Sequence, residues 1–258
     1  IMFLGPEEQL KQTEYTQPAI FLHSAVLASL IRTLRPEAAA GHSLGEYSAL
    51  VAAGALQFYD AVKLVRFRGQ SMQQAGLDNP GTMAAVVGMD QEPLEAVCGE
   101  ASADGVVQCA NFNSPGQIAI SGSITGVRKA MELAKAKGAR LVKELVVSGA
   151  FHSPLMAPAQ DKLGVALETA PVYQARFPVY ANVTAKPVTD AGDIKKLLFE
   201  QVMKPVRWDE TIRNLTADGF DTFYEIGPGK VLQGLVKRIA PDATVYGIDK
   251  YEDVEKYL

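Results

Sequence analysis

The sequence predicts an α/β core interrupted by a small split β-α-β unit, and three observations carry that prediction. A serine between two glycines, in "GHSLGEYSAL" (41–50), stands where a strand should turn into a helix. A strand-helix-strand-strand-helix-strand succession fills residues 76–147. From residue 148 the chain returns to alternating helices and strands, so that 1–75 and 148–258 are expected to form one core around the inserted unit.

The elements follow in order. "TQPAIFLHSAVLASLIRTL" spaces its apolar residues for a buried helix, with His23 inside it as a core or surface residue. After "RPEAAA" and the serine turn, "SLGEYSALVAAGAL" reads as a helix with Leu44, Tyr47, Ser48 and Val51 on one face and Gly54 as its stop. "YDAVKLVRFRGQSMQQAG" reads as another, capped by Asp60, with Ala61, Leu64, Val65, Arg68 and Met72 on one face. In the inserted unit, "TMAAVVGM", "VVQCANFN", "QIAISGS" and "RLVKELVVS" read as strands, the middle two split by the turn residues Ser114, Pro115 and Gly116. "EPLEAVCGEASA" and "TGVRKAMELAKAKG" supply its helices. Beyond it, "PLMAPAQDKLGVALETA", "DAGDIKKLLFEQVM", "WDETIRNLTADG" and "GKVLQGLVKRIA" read as helices, and "FPVYANVT" and "DTFYEIG" as strands. No internal repeat or low-complexity linker is present.

Composition narrows the functional classes. With 258 residues, 48% of them hydrophobic, the chain can bury a substantial core. A formal net charge of −4 argues against nucleic acid as a partner. No apolar run of about 18 residues and no basic-then-apolar leader occurs, so neither a membrane span nor a secretory signal is expected. Cys98 and Cys109 are the two cysteines, with no ligand-like spacing to each other or to His23, His42 and His152; no metal site is expected, and a reducing cytoplasm is the expected setting. "GPGK" (227–230) lacks the phosphate-loop spacing and reads as a turn opening a helix.

Chemistry concentrates at Ser43. In a glycine-flanked elbow the serine hydroxyl projects at a helix N-terminus, where the next backbone N–H can receive an oxyanion. Of three histidines, His42 is adjacent and must point away, and His23 lies within an apolar helix. His152, in "SGAFHSPLM", stands at a strand-to-helix junction of the kind that holds catalytic groups, although a loop histidine capping the backbone would look the same. Arg68 falls on the apolar face of its helix, whereas Arg66 does not, and a guanidinium there needs an anionic partner: an internal carboxylate or a substrate's.

"GHSLGEYSAL", the "RG" of "RFRGQSMQ", "NFNSPGQIAISG", "GAFHSPLM", "PVRW" and "YEIGPGKVL" occur in the order in which they stand in the malonyl-CoA:acyl carrier protein transacylases and related acyltransferase domains, and by these motifs the chain resembles that family over nearly its whole length. The resemblance implies a hydrolase-like α/β core with a parallel sheet and an inserted ferredoxin-like subdomain. It implies Ser43 as the acyl-accepting nucleophile, His152 as its base, the Leu44 N–H in the oxyanion hole, Arg68 on the malonyl carboxylate, and the Gln201 backbone carbonyl orienting the histidine. The substrates would be malonyl-CoA and the phosphopantetheine thiol of acyl carrier protein, joined through a seryl ester in fatty-acid synthesis, with no metal or redox cofactor. Leu44 after the serine and Ala150-Phe151 before the histidine resemble the family's malonyl-selective versions. Members of the family begin with a strand and a "GQGSQ"-like loop upstream; this chain opens on "IMFLGPEEQL", and that strand and its oxyanion donor are expected to be missing from it. Two alternatives stay open: a serine esterase, which shares the elbow but places its histidine near the C-terminus after an acidic residue, and an inactive carrier-docking fragment.

Overall fold

A computed structural model describes residues 1–258. A short helix α1 (Glu7–Leu10) precedes α2 (Thr13–Leu30), whose Gln17, Phe21, Ser24, Ala25 and Leu27 face inward at helical spacing. The two-residue strand β1 (Ala39–Ala40) leads through the serine turn into α3 (Gly45–Ala52), and α4 (Phe58–Asp78) follows. Ala61, Leu64, Val65, Arg68 and Met72 are buried on α4, as the spacing predicts. Two local expectations are corrected. Gln57, not Asp60, is the α4 N-cap residue; Asp60 sits in the first turn, where its charge faces the positive end of the helix. Of the expected α3 face, Leu44 and Tyr47 are buried, but Ser48 and Val51 are only half-buried and Glu46, Ala49 and Leu50 are buried as well, because neighbouring elements enclose that short helix on more than one side. Gly54 does end the segment, in the left-handed region at φ 75°.

Next come β2 (Gly81–Val87), α5 (Gln91–Ala101), β3 (Val107–Ser114), β4 (Gln117–Ser123), α6 (Ile124–Ala136) and β5 (Leu141–Glu144). The strands form one antiparallel sheet in the order β3-β4-β2-β5, the ferredoxin-like arrangement. Leu94, Val97, Val127 and Ala130 of the two helices close over Ala84, Val86 and Ile120 of the sheet in a core of its own. β5 is shorter than its sequence suggests: Leu145 makes the last bond to β2, and Val146 is fully exposed.

The chain re-enters the larger core through a 3₁₀ turn (Pro154–Met156) and α7 (Ala157–Thr169). Of "FPVYANVT" only β6 (Val179–Tyr180) is strand; it pairs parallel to β1 and antiparallel to β7 (Pro187–Val188). Then follow α8 (Ala191–Gln201), capped by Asp190, α9 (Trp208–Ala217), β8 (Thr222–Ile226), α10 (Val231–Ile239), β9 (Thr244–Ile248) and α11 (Tyr251–Val254). β9, which sequence reasoning missed, pairs parallel to β8. "GPGK" forms the turn before α10, whose first amides at Leu232 and Gln233 donate to the Glu225 carboxylate. No helix is long and apolar enough to cross a membrane.

Candidate active site

The parallel pair β1–β6 ends at a sharp turn, and Ser43 occupies it at φ 51°, a left-handed conformation that is strained for a residue with a Cβ. Its two glycines are not equivalent. A Cβ on Gly41 would lie 2.0 Å from the backbone C and O of Gly45, so only glycine fits, whereas a Cβ on Gly45 would meet nothing within 4 Å. Asn182, just after β6, fastens the turn from below: its Oδ1 accepts the Ser43 N–H at 2.7 Å and its Nδ2 donates to Gly41 O at 2.7 Å. The Leu44 N–H, at the start of α3, donates to no acceptor of the chain.

His152 follows the end of β5 across the loop 145–151 and is likewise left-handed, at φ 57°. Its Nδ1 lies 2.8 Å from Gln201 O and 3.2 Å from Lys204 O. Carbonyls only accept, so Nδ1 bears the proton, and the bare Nε2 faces Ser43 Oγ at 2.8 Å. Burial, then the positive charge of Arg68, hold the imidazole pKa down, to about 3, which keeps the ring neutral. His42 turns away to donate to Asn113 Oδ1 at 2.9 Å, and His23 bonds Asp249 O at 2.8 Å, so one histidine alone reaches the serine.

Arg68 projects from α4 into the same place with 1% of its surface exposed. Nη2 donates to Ser43 Oγ and to Gln201 Oε1, both at 3.0 Å, and Nη1 donates to Gln17 Oε1 at 2.6 Å. The guanidinium carbon lies 5.6 Å from the Tyr47 ring centre. No carboxylate forms a salt bridge with it, which removes the internal ion pair as its explanation.

Gln201 does more than its expected backbone contact. Its Nε2 donates to Ser43 O at 2.9 Å and to Glu46 Oε2 at 2.8 Å while its Oε1 receives Arg68, so one residue ties the elbow and the arginine through its side chain and His152 through its backbone carbonyl. Glu46 Oε2 also accepts the Asn182 N–H at 3.0 Å, and burial pushes this carboxyl up from 4.5 to about 7. Gln108 supports the histidine from the inserted sheet, donating to His152 O at 2.8 Å and Met203 O at 3.1 Å.

Sequence reasoning thus places Ser43, Leu44, Arg68, His152 and Gln201 within one cluster and misses Gln17, Glu46, Gln108 and Asn182. Glu46 lies inside the quoted serine motif and was legible as an acid beside apolar helix residues. Gln17, Gln108 and Asn182 have no local signal, since an amide on a helix, a strand or a loop looks alike until its partners are known. Chemically, the cluster offers an activated hydroxyl, a neutral base, a free N–H at a helix start and an uncompensated cation within 3.0 Å of the hydroxyl.

Residues 1–251 match the acyl transferase domain family. The chain is 48% identical over 258 residues to a malonyl CoA-acyl carrier protein transacylase of Bacillus subtilis, covering 99% of this chain and 81% of that protein. It is 42% identical over 261 residues to the Haemophilus influenzae protein of the same name, covering 98% and 84%. Among solved structures, a malonyl CoA-acyl carrier protein transacylase from Coxiella burnetii superposes with a TM-score of 0.95 at 39% identity, covering 98% of this chain and 81% of that one. A malonyl-transacylase in complex with its type II PKS acyl-carrier protein gives 0.95 at 40% identity, covering 99% and 84%.

Proposed function

The chain belongs to the acyl transferase domain family, and on that premise we propose that it transfers a malonyl group from malonyl-CoA to the phosphopantetheine thiol of acyl carrier protein, in fatty-acid synthesis. The observation that carries the assignment is a single oxygen with two partners: Ser43 Oγ donates to His152 Nε2 at 2.8 Å and accepts from Arg68 Nη2 at 3.0 Å. An ordinary esterase needs the first contact. The second places an unpaired cation beside the nucleophile, at the reach of a carboxylate one methylene removed from the reacting carbonyl.

His152 Nε2 takes the Ser43 proton as Oγ attacks the thioester carbon, and the developing oxyanion forms against the Leu44 N–H and the start of α3. Collapse expels the coenzyme A thiolate, which recovers the proton from His152. The carrier's thiol then gives its proton to the same nitrogen and attacks the seryl ester, and the hydroxyl is restored. The Gln201 and Lys204 carbonyls stabilise the imidazolium that forms in each half-reaction. Both proton transfers close on one histidine, so the scheme needs no metal or redox cofactor. The free thiols Cys98 and Cys109 suit a reducing compartment, and we place the reaction in the cytoplasm.

Intact mass after mixing with malonyl-CoA tests this directly. A malonyl adduct on Ser43 that holo-carrier removes and apo-carrier does not is the expected result. Free malonate released without carrier, or no adduct, would overturn it.

A further inference from the structure

Arg68 is a buried cation that the fold surrounds with acceptors yet never neutralises. Its three partners, Gln17 Oε1, Gln201 Oε1 and Ser43 Oγ, are all uncharged. We propose that Gln17 and Gln201 form a charge-neutral cradle that holds the guanidinium without compensating it, so that the neutrality of the Gln17 side chain sets selectivity for an acyl group bearing a carboxylate. The inference rests on the role proposed above for Arg68.

Each amide is fixed in the sense that the cradle needs. The Gln201 nitrogen is engaged by Ser43 O, a carbonyl that can only receive, and by Glu46 Oε2, which also accepts the Asn182 N–H, so its oxygen must face Arg68. The Gln17 nitrogen lies against Met72 Sδ at 3.5 Å, which leaves its oxygen for Nη1. Helix α2 comes close enough for this because Gly69 has no side chain: a Cβ there would stand 3.0 Å from Thr13 O and 3.1 Å from Glu14 Cα. The one buried carboxylate nearby, Glu46, directs its bonded oxygen at the Asn182 amide and at Gln201 instead. Burial also favours its protonated form.

A buried cation with neutral partners keeps most of its attraction for an incoming anion, whereas an internal carboxylate would satisfy it in advance. Gln17→Glu makes that change with almost no change of shape, placing a carboxylate oxygen where Oε1 now stands. Gln17→Met removes the acceptor but leaves the site neutral.

The measurement is the ratio of Ser43 acylation rates from malonyl-CoA and acetyl-CoA, read by quenched-flow intact mass on the full chain, so that the active fraction cancels. Gln17→Glu should lower the ratio by roughly 10–100-fold, and Gln17→Met by less than about 3-fold. An unchanged ratio in Gln17→Glu, or an equal fall in both variants, would overturn the cradle. Arg68→Ala in the same assay separates the two levels: if its ratio is unchanged, the role of Arg68 fails and the cradle with it. If its ratio collapses while Gln17→Glu keeps the wild-type ratio, only the cradle fails. Should Gln17→Glu not fold, Gln17→Asp brings the same charge on a smaller side chain and is held to the same ratio.

Discussion

Glu46 and Arg68 are both buried in one hydrogen-bonded network and do not form an ion pair, because the Gln201 amide stands between them. It accepts from Arg68 Nη2 at 3.0 Å and donates to Glu46 Oε2 at 2.8 Å. The carboxyl therefore lacks a direct cationic contact, and desolvation, the largest influence on it, raises its pKa to about 7.

That shift has a definite sign for stability. The folded chain keeps a proton on Glu46 that the unfolded chain loses near 4.5, so the stabilisation is fully present below that pH and is lost as pH rises through about 7. The Glu46→Gln variant carries no ionisable group at this position, and its amide oxygen can still accept from Asn182 and Gln201. Thermal unfolding followed from about pH 5 to about pH 8 should show the wild type losing stability relative to the variant as pH rises. A gap between the two that stays constant with pH would contradict this.

Replacing Ser43 by alanine should abolish malonyl labelling while the fold persists, since one oxygen is removed. Glycine at the same position should also relieve the left-handed strain at φ 51°, so Ser43→Gly should be more stable than Ser43→Ala by about 1 kcal/mol. Labelling that survives on another residue, or an alanine variant that melts above the glycine one, would count against the elbow as described.

His152→Ala should slow acylation by malonyl-CoA and transfer to the carrier together, each by roughly 10²–10⁴-fold, because in the proposed scheme one nitrogen serves both steps. In the wild type the imidazole stays neutral well below its usual 6.5, being held to about 3 by burial and by Arg68. Acylation rates should therefore not fall on acidification through the usual histidine pKa within the folded range. A loss of rate on acidification centred there, or a variant impaired in one half-reaction alone, would refute this arrangement.

The two glycines of the elbow should respond oppositely to alanine. Gly41→Ala drives a Cβ into the Gly45 backbone at 2.0 Å and should lose about 3 kcal/mol or more. Gly45→Ala opens onto free space at the first residue of α3 and should fold with at least native stability. Chemical denaturation of the pair decides it, and equal losses would contradict the close packing of Gly41 against the Gly45 backbone.

Much of this protein is determined by sequence that acts locally. The α4 face from Ala61 to Met72 follows from a 3.6-residue period, and the β2–β5 sheet with its two helices follows from alternation and turn residues within a short span. The serine turn follows from a steric demand between Gly41 and Gly45, four positions apart. Where few residues are regular the sequence misleads: β6 keeps two of the strand residues that "FPVYANVT" suggests, and β9 was missed although its five residues pair fully with β8. Tertiary structure alone decided the partners. Burial and hydrogen bonds join groups 51 positions apart, as in Gln17 and Arg68, or 155 apart, as in Glu46 and Gln201, and no local pattern encodes such distances. An amide is the least legible of these groups, since either end can bond and only the surrounding donors and acceptors fix its orientation. That orientation is what leaves the charge on Arg68 unmatched.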